Sequence, residues 1–332
     1  MAAPMCLALL AAGAGCGDGE TDKREVVVYC SADRGYAEPV LKAFEAAEGI
    51  KVLPRYDIEA NKTVGLVQKI RAEAGDPAAD VFWSSEIFYT IRLAREGLLA
   101  SYTSPSAAGW PSRLVDPQRR WHGFAQRARV IAYHSGRVKG EEAPKRLEDL
   151  LEAKWKGRIA MAAPEFGTTG GDVASWFAHY GPRRAEEVLK GLKANAVRIA
   201  SSNSHAVRML AAGQVDVCLT DTDDVYAGQR NGWPVAMNLL DQGGDGALVI
   251  PNTVALIRGA PHEEEAKALI DFLLSARAEA MLARSDSHNT PVRPSVGEEF
   301  PAYAIPRALD VPYGKVADAL PEAVRKAGEI LR

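Results

Sequence analysis

Short β-branched runs alternate repeatedly with longer amphipathic segments along this chain. The run EVVVYCSA at 25–32 predicts a buried strand. The segment after it carries apolar residues at helical spacing and ends at Gly49, which is typical of a helix C-terminus. Strands that alternate with helices in this way predict an α/β fold, in which a mostly parallel sheet is covered by helices on both faces.

The alternation runs through most of the 332 residues, a length sufficient for two domains. An apolar run at 246–257 predicts a strand that Pro251 and Asn252 interrupt, and we expect a hinge there. Other predicted elements include a strand at 129–135, a short helix at 146–153, one long amphipathic helix at 263–284 and a final helix at 320–331.

The first sixteen residues, MAAPMCLALLAAGAGC, are small and apolar and carry no charge. Such a short apolar stretch does not span a bilayer, so it predicts an export signal. Its end, GAGC, resembles a bacterial lipoprotein cleavage box, which implies a lipid on Cys16 and a signal and tether over 1–25. We therefore expect a location in the periplasm or cell envelope. A secretory signal without lipidation and a cytoplasmic location are the alternatives.

Charge and motifs argue against several classes of protein. The net charge is −3 and no long basic run is present, so we expect no nucleic-acid partner. The sequence has no GxSxG, HExxH, Walker A or dinucleotide-binding motif, which argues against an enzyme. Metal-assisted hydrolysis is a remote alternative. Cys30 and Cys218 each lie in an apolar run, and we expect both to be buried and unbridged.

Three aspartates fall within four positions directly after an apolar strand: Asp221, Asp223 and Asp224. Packed carboxylates repel one another, so they require a cation, a set of backbone donors or open water. A cation that favours anionic oxygen ligands would satisfy the cluster. The alternative is structural, because aspartate also caps helices and is often simply solvated.

Two other stretches carry features of anion sites. Thr168, Thr169 and Gly170 precede a predicted helix, and Asn203 and Ser204 open another. Free N–H groups and hydroxyls at such positions bind phosphate or carbonate. A glycine-rich turn with a capping side chain is the structural alternative for each stretch.

Several segments occur in a fixed order along the chain, among them VVVYCSADRGYAEPVLKAFEAAEGIKV, GDPAADVFWSSE, SHAVRMLAAGQVDVCLTD and TPVRPSV. This ordered set resembles the periplasmic ferric-iron-binding proteins, the substrate-binding subunits of bacterial ABC importers. The likeness covers nearly all of 26–300. The ordered set is specific for the superfamily and less specific for the ligand.

The resemblance implies the two-lobed periplasmic-binding-protein fold of type II, with two crossover strands and a ligand cleft between the lobes. The chain would cross near 126–130 and again near 249–254. The implied partner is an inner-membrane permease, and the implied state is a monomer. Lobe one is expected to comprise 26–124 plus 255–300, and lobe two 125–254 plus 301–332.

The family binds iron through a His and an acidic residue from lobe one and a tyrosine pair from lobe two. In this sequence Asp223 and Asp224 replace the tyrosine pair, and Tyr226 follows two residues later. The acidic position of lobe one holds Ser85, with Glu86 next to it. The resemblance therefore implies a metal site made of Glu86, Asp223 and Asp224, with Asp221 and Tyr226 nearby.

The family often completes the iron shell with a phosphate or carbonate. Asp33 and Arg34 stand where the family often has its His. Ser85 and Arg127 complete the expected ligand-binding set; Arg127 would pair with the anion, with the aspartates or with a hinge residue. Since relatives bind phosphorylated sugars, phosphonates or thiamine, a phosphorylated small molecule or phosphonate and an organic cation are the alternatives to Fe(III).

Overall fold

The computed structural model describes residues 24–57, 63–165 and 167–332, so Cys16 and its predicted lipid lie outside the described residues. In this part of the chain, the strands are β1 Glu25–Cys30, β2 Lys51–Tyr56, β3 Val81–Ser84, β4 Leu99–Ala100, β5 His122–His134, β6 Ile159–Ala162, β7 Arg198–Ala200, β8 Val217–Asp221, β9 Val235–Leu239 and β10 Val249–Ile257. Short 3₁₀ turns cover 105–107, 112–114, 148–151, 153–155 and 301–303.

The helices cover both faces of the sheet formed by these strands. They are α1 Arg34–Glu48, α2 Val64–Ala72, α3 Phe88–Arg95, α4 Gly167–Tyr180, α5 Pro182–Ala194, α6 Asn203–Ala211, α7 Thr222–Arg230, α8 Glu263–Leu273, α9 Ala276–Arg284, α10 Pro294–Gly297 and α11 Tyr313–Leu331. None of the described helices is both long and apolar enough to span a membrane.

The strands form one curled sheet in the order β2-β1-β3-β10-β5-β8-β6-β7, with β4 beside β10 and β9 beside β5. Strand β1 pairs in parallel with β2 and β3, and β6 pairs in parallel with β7 and β8. Strands β5 and β10 are antiparallel to their neighbours. We refer to β1–β3 with α1–α3, α8 and α9 as lobe one, and to β6–β9 with α4–α7 as lobe two. The structure confirms the predicted α/β fold with two crossover strands.

Strand β5 connects the lobes. Its residues 122–128 pair with β10, and its residues 129–134 pair with β8 and β9. The register of the β5–β10 pair shifts between Pro251 and Asn252. The strand is therefore continuous but irregular at the position where the sequence predicts a hinge.

In the described part of the chain, the buried apolar side chains form three groups. One group lies within lobe one and includes Val28, Phe44 and Leu269, and another lies within lobe two and includes Val207 and Val225. A third group runs from β3 and α3 through α4 to α11, so it joins the two lobes on one side. Helix α11 packs against α4 and α5 of lobe two and also against α3 of lobe one.

The two cysteines behave as predicted. Cys30 and Cys218 are both buried and unbridged, Cys30 in the core of lobe one and Cys218 in that of lobe two. Burial raises the pKa of the Cys218 thiol, which keeps it protonated.

Several element boundaries differ from the predictions. The expected helix at 263–284 is two helices, because the hydroxyl of Ser275 accepts the N–H of Ala278 and begins α9 as a new helix. Strand β5 is longer than predicted, the segment at 146–153 forms 3₁₀ turns, and α11 begins before 320. The lobe boundaries expected at 124–125, 254–255 and 300–301 stay a prediction.

Candidate functional site

A small pocket lies where the carboxyl ends of strands from both lobes meet, as expected for a parallel α/β sheet. Its volume is about 40 Å³, far below the roughly 300–1,000 Å³ of pockets that hold drug-sized ligands. Lobe one contributes Asp33 and Ser85, and the crossover strand β5 contributes Arg127. Lobe two contributes Ala162, Ala163, Gly167, Thr168, Thr169, Ser201, Ser202, Asn203, Ser204, Asp221, Asp223 and Asp224.

Four helices begin at this pocket. Helices α4 and α6 present hydroxyl and amide side chains there, whereas α1 and α7 present aspartates. A helix N-terminus carries partial positive charge and unpaired N–H groups, which favour an anion. The pocket thus has two halves: neutral helix starts at α4 and α6 suit an anion, and aspartates at α1 and α7 suit a cation.

Asp221, at the end of β8, is fully engaged by its neighbours. One carboxylate oxygen accepts from Nη1 of Arg129 at 2.9 Å. The other accepts from the Thr168 hydroxyl and from Nδ2 of Asn203 at 3.0 Å. Thr169 in turn donates to Oδ1 of Asn203 at 3.0 Å. Asp221 therefore orders the starts of α4 and α6 around the pocket.

Arg129 is completely buried behind this network. Besides Asp221, its Nε donates to Asp172 of α4 at 2.9 Å. Burial raises the pKa of Asp172, while Arg129 acts in the opposite direction. Because a charge buried without a partner is costly, the group Arg129–Asp172–Asp221 is stable only with all members present.

Arg127 links the two lobes through its guanidinium. Both terminal nitrogens donate to the backbone oxygen of Ser85 in lobe one, at 2.9 and 2.8 Å. Its Nε donates to Oδ2 of Asp223 in lobe two at 3.2 Å. Burial alone would lower the pKa of Arg127, but Asp223 and other acidic neighbours outweigh this effect and raise it. Arg127 therefore stays charged and balances one of the aspartates.

Asp221, Asp223 and Asp224 each offer one oxygen, and these oxygens lie within 4.8 Å of one another. Asp223 and Asp224 occupy the first turn of α7, and Asp224 accepts from the Thr220 hydroxyl at 3.0 Å. This spacing allows a cation to contact the carboxylates together. The predicted aspartate cluster is thus assembled at the pocket, and its role in binding metal stays a prediction.

The structure does not bring Glu86 to this cluster, contrary to our expectation. Its carboxylate accepts the N–H groups of Phe88 at 2.7 Å and Tyr89 at 3.2 Å, and thereby covers the start of α3. Burial raises the pKa of Glu86 to about 7, although these N–H bonds act in the opposite direction. Ser85, one residue earlier, lines the pocket instead.

Three other predicted residues also lie away from the pocket lining. The ring of Tyr226 packs against those of His288 and Tyr303, beside a separate cavity of about 870 Å³. Arg34 is exposed and forms an ion pair with Glu38 at 2.8 Å. Gly170 packs so closely that an added Cβ would lie 2.7 Å from the backbone oxygen of Pro164.

Sequence reasoning misses the buried partners of the cluster. It does not single out Asp172, and near the first crossover it assigns a role only to Arg127. An arginine in a strand that is otherwise apolar on both faces, as in RARVIAY, is a signal of a buried ion pair, since its side chain then shares a face with core residues. Its partners come from other elements, and the sequence alone does not identify them.

Comparisons with known proteins agree with this architecture. Residues 26–285 match the family model described as bacterial extracellular solute-binding protein. Iron uptake protein A1 of Synechocystis sp. is 28% identical over 275 residues, which are 80% of this chain and 75% of that protein. A putative 2-aminoethylphosphonate-binding periplasmic protein of Salmonella typhimurium is 29% identical over 272 residues, which are 80% of this chain and 76% of that protein.

The fold also matches solved structures. The crystal structure of iron-bound HitA from Pseudomonas aeruginosa aligns with a TM-score of 0.81 and 26% sequence identity. The alignment covers 92% of this chain and 99% of that chain. The similarity therefore extends over both lobes and the crossover strands between them.

Proposed function

The chain belongs to the bacterial extracellular solute-binding proteins, and on that premise we propose that it captures ferric iron between its lobes for the permease of an ABC importer. The observation that carries the proposal is the cluster of three carboxylate oxygens within 4.8 Å at the interlobe pocket. The iron-related names of a relative and of a solved structure support the same ligand. The role is one of binding and delivery, without a catalytic step.

In this proposal, Asp223 and Asp224 provide the main ligand oxygens for Fe(III). They stand in the first turn of α7 and line the pocket directly. Asp33 faces the same pocket from lobe one and would contact the ion as the lobes close. Asp221 is held by Arg129, Thr168 and Asn203, so it supports the site rather than donating a free oxygen. Carboxylates are suitable ligands for a hard trivalent ion.

A bound anion follows from the position of Arg127. A cation on Asp223 would draw that carboxylate away from the buried guanidinium, leaving it with the Ser85 backbone oxygen. A buried charge that loses its partner is strongly destabilising. Phosphate or carbonate at the starts of α4 and α6 would restore the balance, because the N–H groups there favour an anion.

A second candidate is a small zwitterion that carries an amine and a phosphonate. The two halves of the pocket suit it directly, with the ammonium on the aspartates and the phosphonate at the starts of α4 and α6. The name of the Salmonella relative gives the same ligand class. Among the described residues no tyrosine lines the pocket, whereas the resemblance to iron-binding proteins implies a tyrosine pair.

Isothermal titration of ligand-free protein separates the two candidates. We expect heat of binding with ferric citrate and none with citrate alone, inorganic phosphate or 2-aminoethylphosphonate. The double variant Asp223→Asn/Asp224→Asn removes both ligand charges and should abolish iron binding. Asp76→Asn, at an exposed position outside the pocket, is the matched control. Binding of the phosphonate without iron would replace the first candidate by the second.

The cellular setting is part of the proposal. The protein would act as a monomer in the periplasm or cell envelope, tethered through a lipid on Cys16. We expect incorporation of labelled palmitate into the wild-type protein and none into Cys16→Ala. If the wild-type protein is exported without label, the proposed lipid anchor is wrong, whereas the proposed binding role is unaffected.

A further inference from the structure

Three aromatic rings form a contact between the lobes outside the ligand pocket. The rings of Tyr226 and His288 lie 5.1 Å apart and those of Tyr226 and Tyr303 lie 5.3 Å apart, both edge to face. His288 and Tyr303 stack on each other at 4.3 Å and 17°. We call Tyr226, His288 and Tyr303 the aromatic clasp.

The two sides of the clasp belong to different lobes. Tyr226 lies on α7 of lobe two, while His288 and Tyr303 belong to the segment 285–303. That segment is fixed to lobe one, because the N–H groups of Val292 and Arg293 donate to Glu279 of α9. Helix α9 itself packs against α1. The rings of Tyr226 and His288 therefore meet across the boundary between the lobes.

The partners of Tyr226 are held in place by hydrogen bonds that do not involve α7. The Nδ1–H of His288 donates to the backbone oxygen of Ala283 at 3.0 Å, which sets the plane of the imidazole. The Thr290 hydroxyl donates to the backbone oxygen of Tyr303 at 2.6 Å. Two rings whose positions are fixed lose little entropy when a third ring packs on them, so the contact is favourable.

Helix α7 connects the clasp to the ligand pocket. Its first turn carries Asp223 and Asp224, and Tyr226 follows within the same helix. Farther along, Arg230 forms an ion pair with Asp286 of the lobe-one segment. Because a helix of this length moves as a unit, a motion that draws its first turn away from lobe one also separates Tyr226 from His288.

We propose that the aromatic clasp stabilises the closed arrangement of the lobes and thereby slows ligand release, although none of its rings lines the ligand pocket. Tyr226, His288 and Tyr303 are positioning residues in this account. When only a fraction of the protein is in its binding-competent state, the apparent Kd equals the intrinsic Kd divided by that fraction. Loss of the clasp therefore weakens binding through lobe opening. Only the release measurement rests on the proposed function, because it uses bound iron.

The first test needs no ligand. Small-angle X-ray scattering of the ligand-free protein should give a larger radius of gyration for Tyr226→Ala and for His288→Ala than for the wild type. Tyr226→Phe keeps the ring and is the matched control, so its scattering should equal that of the wild type. If either alanine variant fails to fold, the other still decides, since the two residues lie on different lobes. Equal scattering for wild type and a folded alanine variant would overturn the proposal.

The second test measures release of iron after mixing the iron-loaded protein with a chelator. Tyr226→Ala should release iron roughly 3- to 10-fold faster, with a nearly unchanged association rate, as expected for the loss of aromatic pair contacts. The double variant Tyr226→Ala/His288→Ala should add little, because either change removes the same contact. Additive effects would contradict a shared contact. If the wild type binds no iron, iron is not the ligand, and the scattering measurement alone tests the aromatic clasp.

Discussion

At the scale of single residues, the aspartates of the site divide into two kinds. Asp221 has partners on both oxygens, among them the buried Arg129. Asp224 accepts from the Thr220 hydroxyl and lies in the pocket wall. Neighbours in sequence thus have different tasks. One stabilises the protein, and the other lines the space that a ligand would occupy.

This division predicts different effects of the same substitution. Asp221→Asn removes the charge opposite Arg129 and should lower the free energy of unfolding by about 3 kcal/mol, the usual range for a broken buried pair. Asp224→Asn should lower it by less than about 1 kcal/mol while it weakens ligand binding. Urea unfolding of both variants measures this. Equal stability of the two variants would contradict the assignment.

Glu86 predicts a pH dependence of stability. Its pKa rises from 4.5 to about 7 on burial, so the folded protein binds this proton more tightly than the unfolded chain does. The free energy of unfolding therefore falls as the pH rises from about 4.5 to 7, by up to roughly 3 kcal/mol. Glu86→Gln has no such proton, so its stability relative to the wild type should increase across this window.

Urea unfolding at pH 4.5, 6 and 8 measures the effect. Glu298→Gln is the control, because Glu298 is exposed and should leave the pH dependence of the wild type unchanged. Parallel curves for Glu86→Gln and the wild type would show that this carboxyl does not titrate in the window.

The sequence predicts which residues lie near the pocket, but not which of two neighbouring residues faces it. Several pocket residues follow the ends of strands. Because the carboxyl ends of parallel strands share one edge of a sheet, the sequence places these residues close together. They are Asp33, Ser85, Thr168, Asn203 and the aspartates of α7. Which of two neighbours faces the pocket depends on the local turn: Ser85 faces it, and Glu86 turns under α3. Tyr226 lies on a different face of α7 from the pocket, which a pattern match to a tyrosine position does not reveal.

At the scale of elements, apolar spacing predicts most helices and strands but not their ends. The run at 263–284 keeps one apolar face throughout, so periodicity predicts a single helix. The break comes from the hydroxyl of Ser275, which caps α9 and directs it against α1. A capping serine inside an apolar pattern is a weak signal, because the same residue also occurs within helices.

Close packing between α3 and α4 predicts a sensitive position where the lobes meet. A Cβ added to Gly171 would lie 2.1 Å from the ring of Phe88, which the core holds from all sides. Gly171→Ala should therefore lower the free energy of unfolding by about 1–3 kcal/mol through overpacking. Calorimetric measurement of Tm tests this.

Gly35→Ala is the matched control for this change. Gly35 also lies in a helix, and an added Cβ would meet nothing within 4 Å. We expect its Tm to be equal to that of the wild type or slightly higher, since alanine favours a helix over glycine. A similar change of Tm in both variants would mean that the contact with Phe88 does not control the result.

At the scale of the whole molecule, the contacts that join the two lobes are apolar on one side and polar near the pocket. A shared apolar core runs through α3, α4 and α11 on one side, and the crossover strands carry an irregularity at Pro251–Asn252. Near the pocket, the contacts between lobes are polar: Arg127 to Ser85 and to Asp223. Apolar contacts persist through small motions, whereas these polar contacts can be exchanged for contacts with a ligand.

In the proposed function, Asp223 and Asp224 hold a metal ion while an anion occupies the starts of α4 and α6. Anomalous X-ray diffraction at the iron absorption edge, on crystals grown with ferric iron and phosphate, tests this arrangement. We expect one anomalous peak within coordination distance of both carboxylates, with phosphate density beside Thr168 and Asn203. A pocket that holds an organic ligand without an anomalous peak, or an iron peak away from these aspartates, would contradict it.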